Sequence, residues 1–571
     1  MTNNERIWWR SYPLEVPKHL DVPDVTLTRL LLSAAEEFPD REAIYFMGKR
    51  ITYRQLLSDV SRFARALQSL GVRKGDRVAI MLPNSPQAVI AYYGALMIGT
   101  VVVQTNPMYM ERELEHQLCD SGAETIICLD LLYPKVASVK EQTRLSRIIV
   151  TRIGDYLPWP KNWLYPLKLW KDGNHVNVPY HEQEVFRFSR LLKKALAKPV
   201  EDVNVEADDL ALLQYTGGTT GLPKGAMLTH RNLVFNAVQC AHWTHDCRLG
   251  EEKVLGILPF FHVYGMTVVM NFSVYMAATM ILAPRFDVDE VLRLINEEKP
   301  TVFPGAPTMY IALINHPDIS RYDLSSIRAC LSGSAPLPVE VQQRFEELTG
   351  GRLVEGYGLT EASPVTHANP IWGRRKTGSI GLPWPNTDCR IVDPSTGEVL
   401  PLGSVGELQV KGPQVMKGYW NRPEETAQVL KDGWLSTGDI ATMDEDGYFY
   451  ILDRKKDMII ASGYNIYPRE IEEVLYEHPA IKEAAVIGVP DPYRGETVKA
   501  FVVLKEGHQV TEKELEQFCR AKLARYKIPR QYEFRSELPK SAVGKVLRRV
   551  LIEEEKKKAA FTPENTKTGN G

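Results

Sequence analysis

The sequence predicts an α/β protein in which helices cover parallel sheets. Three observations point there. After Ile51 the apolar residues Leu56, Val60, Phe63, Ala66, Leu67 and Leu70 recur at helical spacing. A turn, Gly71-Val-Arg-Lys-Gly-Asp-Arg77, then leads into the short apolar strand Val78-Ala-Ile-Met81. The same order of helix, turn and strand repeats along the chain, and strands separated by helices pair in parallel.

Composition bounds the rest. A length of 571 residues corresponds to roughly three or four domain-sized units. With 44% hydrophobic and 25% charged residues, the chain is globular and can bury a large core. Its net charge of −2 gives no support to nucleic-acid binding. None of the 7 cysteines forms a Cys-x-x-Cys pair, which argues against metal or disulfide frameworks and fits a reducing cytosol. The first residues lack the apolar core of a signal peptide.

The chain opens with an arm carrying Trp8, Trp9 and Tyr12, followed by a helix near residues 28–37. Residues 81–110 and 254–284 carry no charge, and each run is long enough to span a bilayer. The first is broken by Pro83, Pro86, Gly94 and Gly99 and reads as a helix, a glycine stop and a buried strand at 101–103. The second contains Pro259, Gly265 and Asn271 and ends β-like at 279–282. Both are expected in the core of an α/β fold. Residues 156–171 interleave five aromatics with three lysines, and their prolines are expected to prevent one long helix. That composition suits a bilayer interface and equally suits a surface loop packed on the body.

The stretch Tyr215-Thr-Gly-Gly-Thr-Thr-Gly-Leu-Pro-Lys-Gly225 holds four glycines, three threonines and a lysine. A buried strand at 210–213 precedes it. A helix start follows at 229–233, with Thr229 or Asn232 as its cap. A glycine-rich loop between strand and helix exposes backbone N–H groups to an anion, and Lys224 adds charge. This chemistry suits a nucleotide triphosphate tail. It is not a Walker loop, because Lys224 follows Pro223 and precedes Gly225.

Further segments line up behind it. Leu258-Pro-Phe-Phe-His-Val-Tyr-Gly265 sets His262 in an apolar context, where a lone histidine is usually a satisfied core residue. Ser332-Gly-Ser-Ala-Pro-Leu-Pro338 is a small-residue loop that a planar ring can approach. In Glu355-Gly-Tyr-Gly-Leu-Thr-Glu361, Tyr357 can stack on a base and Glu361 offers a hard oxygen to Mg²⁺. Asp439 ends Trp434-Leu-Ser-Thr-Gly-Asp439, and one carboxylate suits two ribose hydroxyls. Asp444-Glu-Asp-Gly-Tyr-Phe-Tyr450 reads as a hairpin turn with a strand. Asp453-Arg-Lys-Lys-Asp457 is a charged junction, and Gly463 after it would let a thin ligand approach. The tail from Glu553 is rich in Lys and Glu and is expected to be disordered.

Taken together, these segments resemble the adenylate-forming superfamily of acyl-CoA synthetases, peptide-synthetase adenylation domains and firefly luciferase. The resemblance spans roughly residues 25–550 and is greatest to bacterial long-chain fatty-acid–CoA ligases. It implies a large N-terminal domain, residues 1–452, built of two doubly wound sheets and a small β-barrel. A hinge at 453–456, a small mobile α+β domain at 457–552 and a tail at 553–571 complete the implied order. It implies that Thr216, Gly217, Gly218, Thr219, Thr220 and Lys224 hold the triphosphate, and that Gly333, Ser334, Ala335 and Tyr357 hold adenine. Asp439 and Arg454 would hold ribose, and Thr216 and Glu361 would ligate Mg²⁺. Thr360, Glu361, His262 and Lys545 would act at the reacting centre, with Lys545 bridging the carboxylate and the α-phosphate. Lys456 would be the pivot, and Ser462, Gly463 and Tyr464 would line the path of CoA.

The implied co-substrates are ATP with Mg²⁺, coenzyme A and a fatty acid, in the cytoplasm. Peripheral contact with the inner face of the membrane stays open, as does a homodimer. A ligase for medium-chain or aryl acids shares every motif. A ligase loading a carrier protein would fit too, although no carrier domain is fused. Lys545, Glu361 and Asp439 argue against a non-catalytic acyl-binding protein.

Overall fold

Thr52 starts the helix that the spacing of Leu56, Val60 and Phe63 predicts. In the computed structural model its hydroxyl accepts from Gln55 N at 3.3 Å, and Gln55 Oε1 accepts from Thr52 N at 3.1 Å. This reciprocal cap satisfies two N–H groups that a helix start otherwise leaves open. The helix Tyr53–Ser69 buries Leu56, Val60, Phe63 and Leu67 completely. It packs on Pro86–Met97, where a Cβ on Gly94 would come within 2.9 Å of the Phe63 ring. Glycine there lets the two helices approach. The structure describes residues 6–22, 24–173, 175–195, 200–216, 223–461, 464–491, 494–541 and 545–561.

Contacts divide the chain into two compact units. The first comprises Met1–Cys389, Val410–Leu435 and Asp446–Tyr448, and it contains two large sheets. One has nine strands. Its six parallel members, in spatial order, are Arg352–Gly358, Ala329–Ser332, Val302–Gly305, Lys253–Gly256, Thr279–Leu282 and Glu42–Phe46. Strand order reverses between Lys253–Gly256 and Val302–Gly305. The other sheet has eight strands, parallel from Leu210–Thr216 to Val185–Arg187, with Lys224–Thr229 antiparallel beside Leu210–Thr216. Both sheets are doubly wound, as expected.

The uncharged runs are core elements. The first becomes the end of the strand Arg77–Met81, the buried helix Pro86–Met97 and the strand Val101–Gln104. The second contains the strands Lys253–Gly256 and Thr279–Leu282, joined by helical turns that include a π-helix at Met266–Asn271. Among the described residues no helix is long and apolar enough to cross a membrane. Two local expectations need correction. The glycine-rich loop joins two antiparallel strands, Leu210–Thr216 and Lys224–Thr229, rather than a strand and a helix. The helix His230–Trp243 begins only after the second strand, with Thr229 and Asn232 forming its reciprocal cap. Lys161–Lys171 is a helix despite Pro166, because a proline at its sixth position removes one backbone bond without ending an 11-residue segment.

The second unit comprises Arg390–Gln409, Ser436–Glu445 and the chain from Phe449 onward. A five-stranded sheet includes Gly406–Lys411, Trp434–Met443 and Phe449–Arg454. A small β-barrel is expected within residues 1–452, whereas contacts group most of this sheet with the residues from Phe449 onward. A second five-stranded sheet is built on the hairpin Ile481–Asp491 with Gly495–Leu504. Alternate residues face opposite sides of it. Ala484 and Val486 pack with Ile471, Leu475, Leu515 and Cys519, whereas Ala485 and Ile487 pack with Leu538 and Leu551. The expected tail is corrected in part. Residues 553–561 finish the helix Arg548–Phe561, whose Glu555 pairs with Lys499 at 2.7 Å and whose Lys558 pairs with Glu533 at 2.8 Å. Buried Leu551 anchors that helix. Residues 562–571 lie outside the described ones.

Candidate active site

The carboxyl ends of parallel strands on both sides of the order reversal carry most of the expected site, which is where open α/β sheets bind ligands. Lys253–Gly256 runs on to His262, Ala329–Ser332 runs on to Gly333, Ser334 and Ala335, and Arg352–Gly358 carries Tyr357 and leads to Thr360 and Glu361. The other sheet reaches the same edge. Gln214, two residues before Thr216, donates from Nε2 to Phe261 O at 2.9 Å.

His262 is half-buried, not enclosed in the core. Its Nδ1 accepts from Tyr264 N at 3.2 Å, so it caps the short helix Val263–Gly265. Gly333 donates its N–H to Gly305 O, and a Cβ on it would lie 2.9 Å from the Tyr264 ring. Ser334 takes a left-handed backbone, φ 72°. Ala335 beside it is half-buried. Tyr357 stands edge-on to His367, with centroids 5.8 Å apart. His367 is fully buried, which pushes its pKa down to about 3, so it is neutral.

Thr216 and Lys224 face each other across the base of the hairpin. Gly217, Gly218, Thr219 and Thr220 lie outside the described residues. Tyr215 packs its ring on its cross-strand partner Gly225, where a Cβ would sit 3.2 Å away. Its hydroxyl donates to Asp120 Oδ2 at 2.7 Å, and Arg422 pairs with the other oxygen at 2.9 Å.

Two residues absent from the sequence reading complete this corner. The short strand Gly418–Tyr419 pairs antiparallel with Ala226 and Met227. From it the Tyr419 hydroxyl donates to Glu361 Oε1 at 2.7 Å, while the Lys224 ammonium lies 5.1 Å from the Tyr419 ring centroid. Burial, then the Glu361 carboxylate, hold the Tyr419 phenol protonated far above its ordinary range. Lys224 also pairs with Glu425. A partnership 58 residues apart in sequence leaves no spacing signal. An aromatic between Gly418 and Trp420 is the one local hint.

In the second unit, Asp439 and Arg454 are cross-strand partners, with Arg454 Nε 3.4 Å from Asp439 Oδ1. Lys545 is half-buried, and its N–H donates to Ser541 Oγ at 3.2 Å. Desolvation and the Arg454 guanidinium push its pKa down to about 7, against the pull of the Asp439 carboxylate. The structure therefore brings Asp439, Arg454 and Lys545 together. Lys456 lies exposed on the turn after Phe449–Arg454. Just before it, buried Asp453 accepts from Arg454 N and from Arg469 N at the start of the helix Pro468–Tyr476. Arg548 clasps Glu472 at 2.6 Å and Asp457 at 3.4 Å. Ser462 and Gly463 lie outside the described residues, and Tyr464 begins the strand Tyr464–Ile466.

A single carboxylate at Glu361, with one oxygen engaged by Tyr419, suits a Mg²⁺ ion carried mainly by phosphates. Among the described residues no cluster of three or more His, Cys, Asp or Glu could hold a metal by itself.

Two family models match the chain: AMP-binding enzyme over residues 31–420 and AMP-binding enzyme C-terminal domain over residues 470–545. A curated relative named long-chain-fatty-acid–CoA ligase, from Bacillus subtilis (strain 168), is 57% identical over 553 residues, covering 97% of this chain and 98% of the relative. One of the same name from Yersinia pestis is 43% identical, covering 97% and 99%. Among solved structures, an anthranilate CoA ligase in complex with anthranoyl-AMP superposes with a TM-score of 0.83 at 28% identity, covering 95% of this chain and 99% of that one.

Proposed function

Since the chain belongs to the AMP-binding enzyme family, we propose that it is a long-chain fatty acid–CoA ligase that forms AMP. The observation that carries this reading is the meeting of the glycine-loop strands, Tyr419 and Glu361 at the carboxyl edge of a doubly wound sheet. That corner joins a cation for phosphates to a carboxylate for their metal.

A carboxylate is a poor electrophile because its oxygen leaves badly. In the first half-reaction the fatty acid carboxylate attacks the α-phosphorus of ATP. The bond to the bridging oxygen breaks, and pyrophosphate leaves. Thr216, Thr219, Thr220 and Lys224 hold the triphosphate tail, with Gly217 and Gly218 lending backbone N–H groups. Tyr357 faces adenine beside Gly333, Ser334 and Ala335, and Asp439 and Arg454 hold ribose. Glu361 and Thr216 would hold Mg²⁺, which supplies neutralisation of phosphate charge. Lys545 neutralises the charge that builds as carboxylate and phosphate oxygens converge. In the second half-reaction the CoA thiolate attacks the acyl carbonyl and AMP leaves. Gly463 lies just past the hinge and Lys545 far from it in sequence, so rotation at Lys456 serves the two steps in turn.

The long-chain assignment is supported by the curated relatives of that name and by the uncharged run 254–284. The test is thioester formation with acids of graded length and with benzoate. AMP and pyrophosphate release, with efficiency rising along the aliphatic series, supports the reading. Release of ADP sinks adenylation, and a best aromatic substrate turns the assignment to the aryl acids.

A further inference from the structure

The helix Lys161–Lys171 presents large apolar side chains to solvent. Trp163, Leu167 and Trp170 are 70%, 57% and 74% exposed, and Trp159 just before the helix is 84% exposed. Their spacing is i, i+4 and i+7, so they share one face. The opposite face carries Tyr165 and Leu169, the only half-buried residues among the side chains described in this helix. Tyr165 seats against Gly154, where a Cβ would stand 2.9 Å from its ring. The helix is thus fastened by one side while its tryptophans point away from the body.

The helix is also basic along its flanks. Lys161 and Lys171 are exposed near the helix ends, Lys168 lies between them in sequence, and no acidic residue occurs from 156 to 171. Asp155 precedes this stretch and Asp172 follows it. Lys161 Nζ reaches Met47 O at 3.5 Å, so the hairpin turn before exposed Lys49 adjoins the helix start. An 11-residue helix is roughly 16 Å long and cannot span a hydrocarbon core. Tryptophans flanked by lysines on such a helix match the boundary between headgroups and acyl chains.

We infer that Trp159, Trp163, Leu167 and Trp170 dock this protein on the surface of an anionic bilayer, with Lys161 and Lys171 meeting the headgroups. The helix lies in the plane of the membrane and inserts its tryptophans. This goes beyond the ligase reading and does not depend on it.

The test is co-sedimentation of the full chain with vesicles of phosphatidylglycerol and phosphatidylcholine, against pure phosphatidylcholine. The wild-type chain should prefer the anionic vesicles, and salt should weaken that binding. The double variant Trp163→Ser, Trp170→Ser should partition at least about tenfold less. Lys161→Glu with Lys171→Glu should remove the preference for anionic lipid. Thioester formation from hexanoate should stay at the wild-type rate in both variants, which separates loss of docking from failure of the ligase reading. Unchanged partition of either variant, or no binding by the wild type, overturns the proposal. So does a wild-type dimer in sedimentation velocity that the tryptophan variant abolishes, since the occupant would then be a second copy.

Discussion

The Tyr419 hydroxyl donates to Glu361 Oε1 at 2.7 Å while the Tyr419 ring lies beneath the Lys224 ammonium. One side chain thus links the carboxylate proposed for the metal to the cation proposed for the phosphates. Tyr419→Phe keeps the ring and removes the donor. A hydrogen bond to a charged group contributes about 1.5–3 kcal/mol. The Mg²⁺ concentration for half-maximal adenylation should therefore change by about tenfold or more, while KM for the acid stays put. Titration of pyrophosphate release against Mg²⁺ checks this, and an unchanged midpoint would leave Tyr419 a packing residue.

Lys545 should impose a pH limb on the first half-reaction. Its pKa is pushed down to about 7, so it is an ammonium below that value and neutral above it. Adenylation needs the charge. kcat/KM for ATP should then fall by about tenfold per pH unit above the limb. Bound phosphates restore the charge, so the limb in kcat should sit higher. Lys545→Arg should lose the limb, because its guanidinium stays protonated. A profile identical to wild type would remove Lys545 from this role.

The two half-reactions should separate by mutation. Lys545→Ala should lose acyl-adenylate formation by orders of magnitude yet still convert supplied acyl-adenylate and CoA to thioester. Lys456→Pro should do the reverse, since proline fixes φ at the pivot. Single-turnover assays of each half-reaction read both. Equal loss in both steps from Lys545→Ala, with the fold intact, would defeat the alternating account.

The sequence by itself determined the elements and their chemistry. Apolar spacing in Tyr53–Ser69 and Pro/Gly breaks in the uncharged runs were sufficient for an α/β core, because helix and strand periods are local properties. The glycine-threonine loop, Tyr357, Glu361 and Asp439 stood out as candidates because each sits in a short segment of distinctive composition, whereas Lys545, one among 69 Lys and Arg residues, was singled out by the family resemblance alone. Tertiary structure alone decided what meets what. Pairing of Gly418–Tyr419 with Ala226 and Met227 brought Tyr419 to Glu361, and no local pattern encodes a cross-strand partner so distant. The same holds for the antiparallel pairing of the strands Leu210–Thr216 and Lys224–Thr229 on either side of the glycine loop, since a strand and a helix start look alike over a few residues. His262 illustrates the limit in the other direction. Its apolar neighbours read as core, yet where strand gives way to helix, backbone direction leaves the ring half-exposed, and only the fold sets that direction. Ion pairs of Glu555 and Lys558 likewise held a charged segment in a helix, because their partners lie on strands far away in sequence.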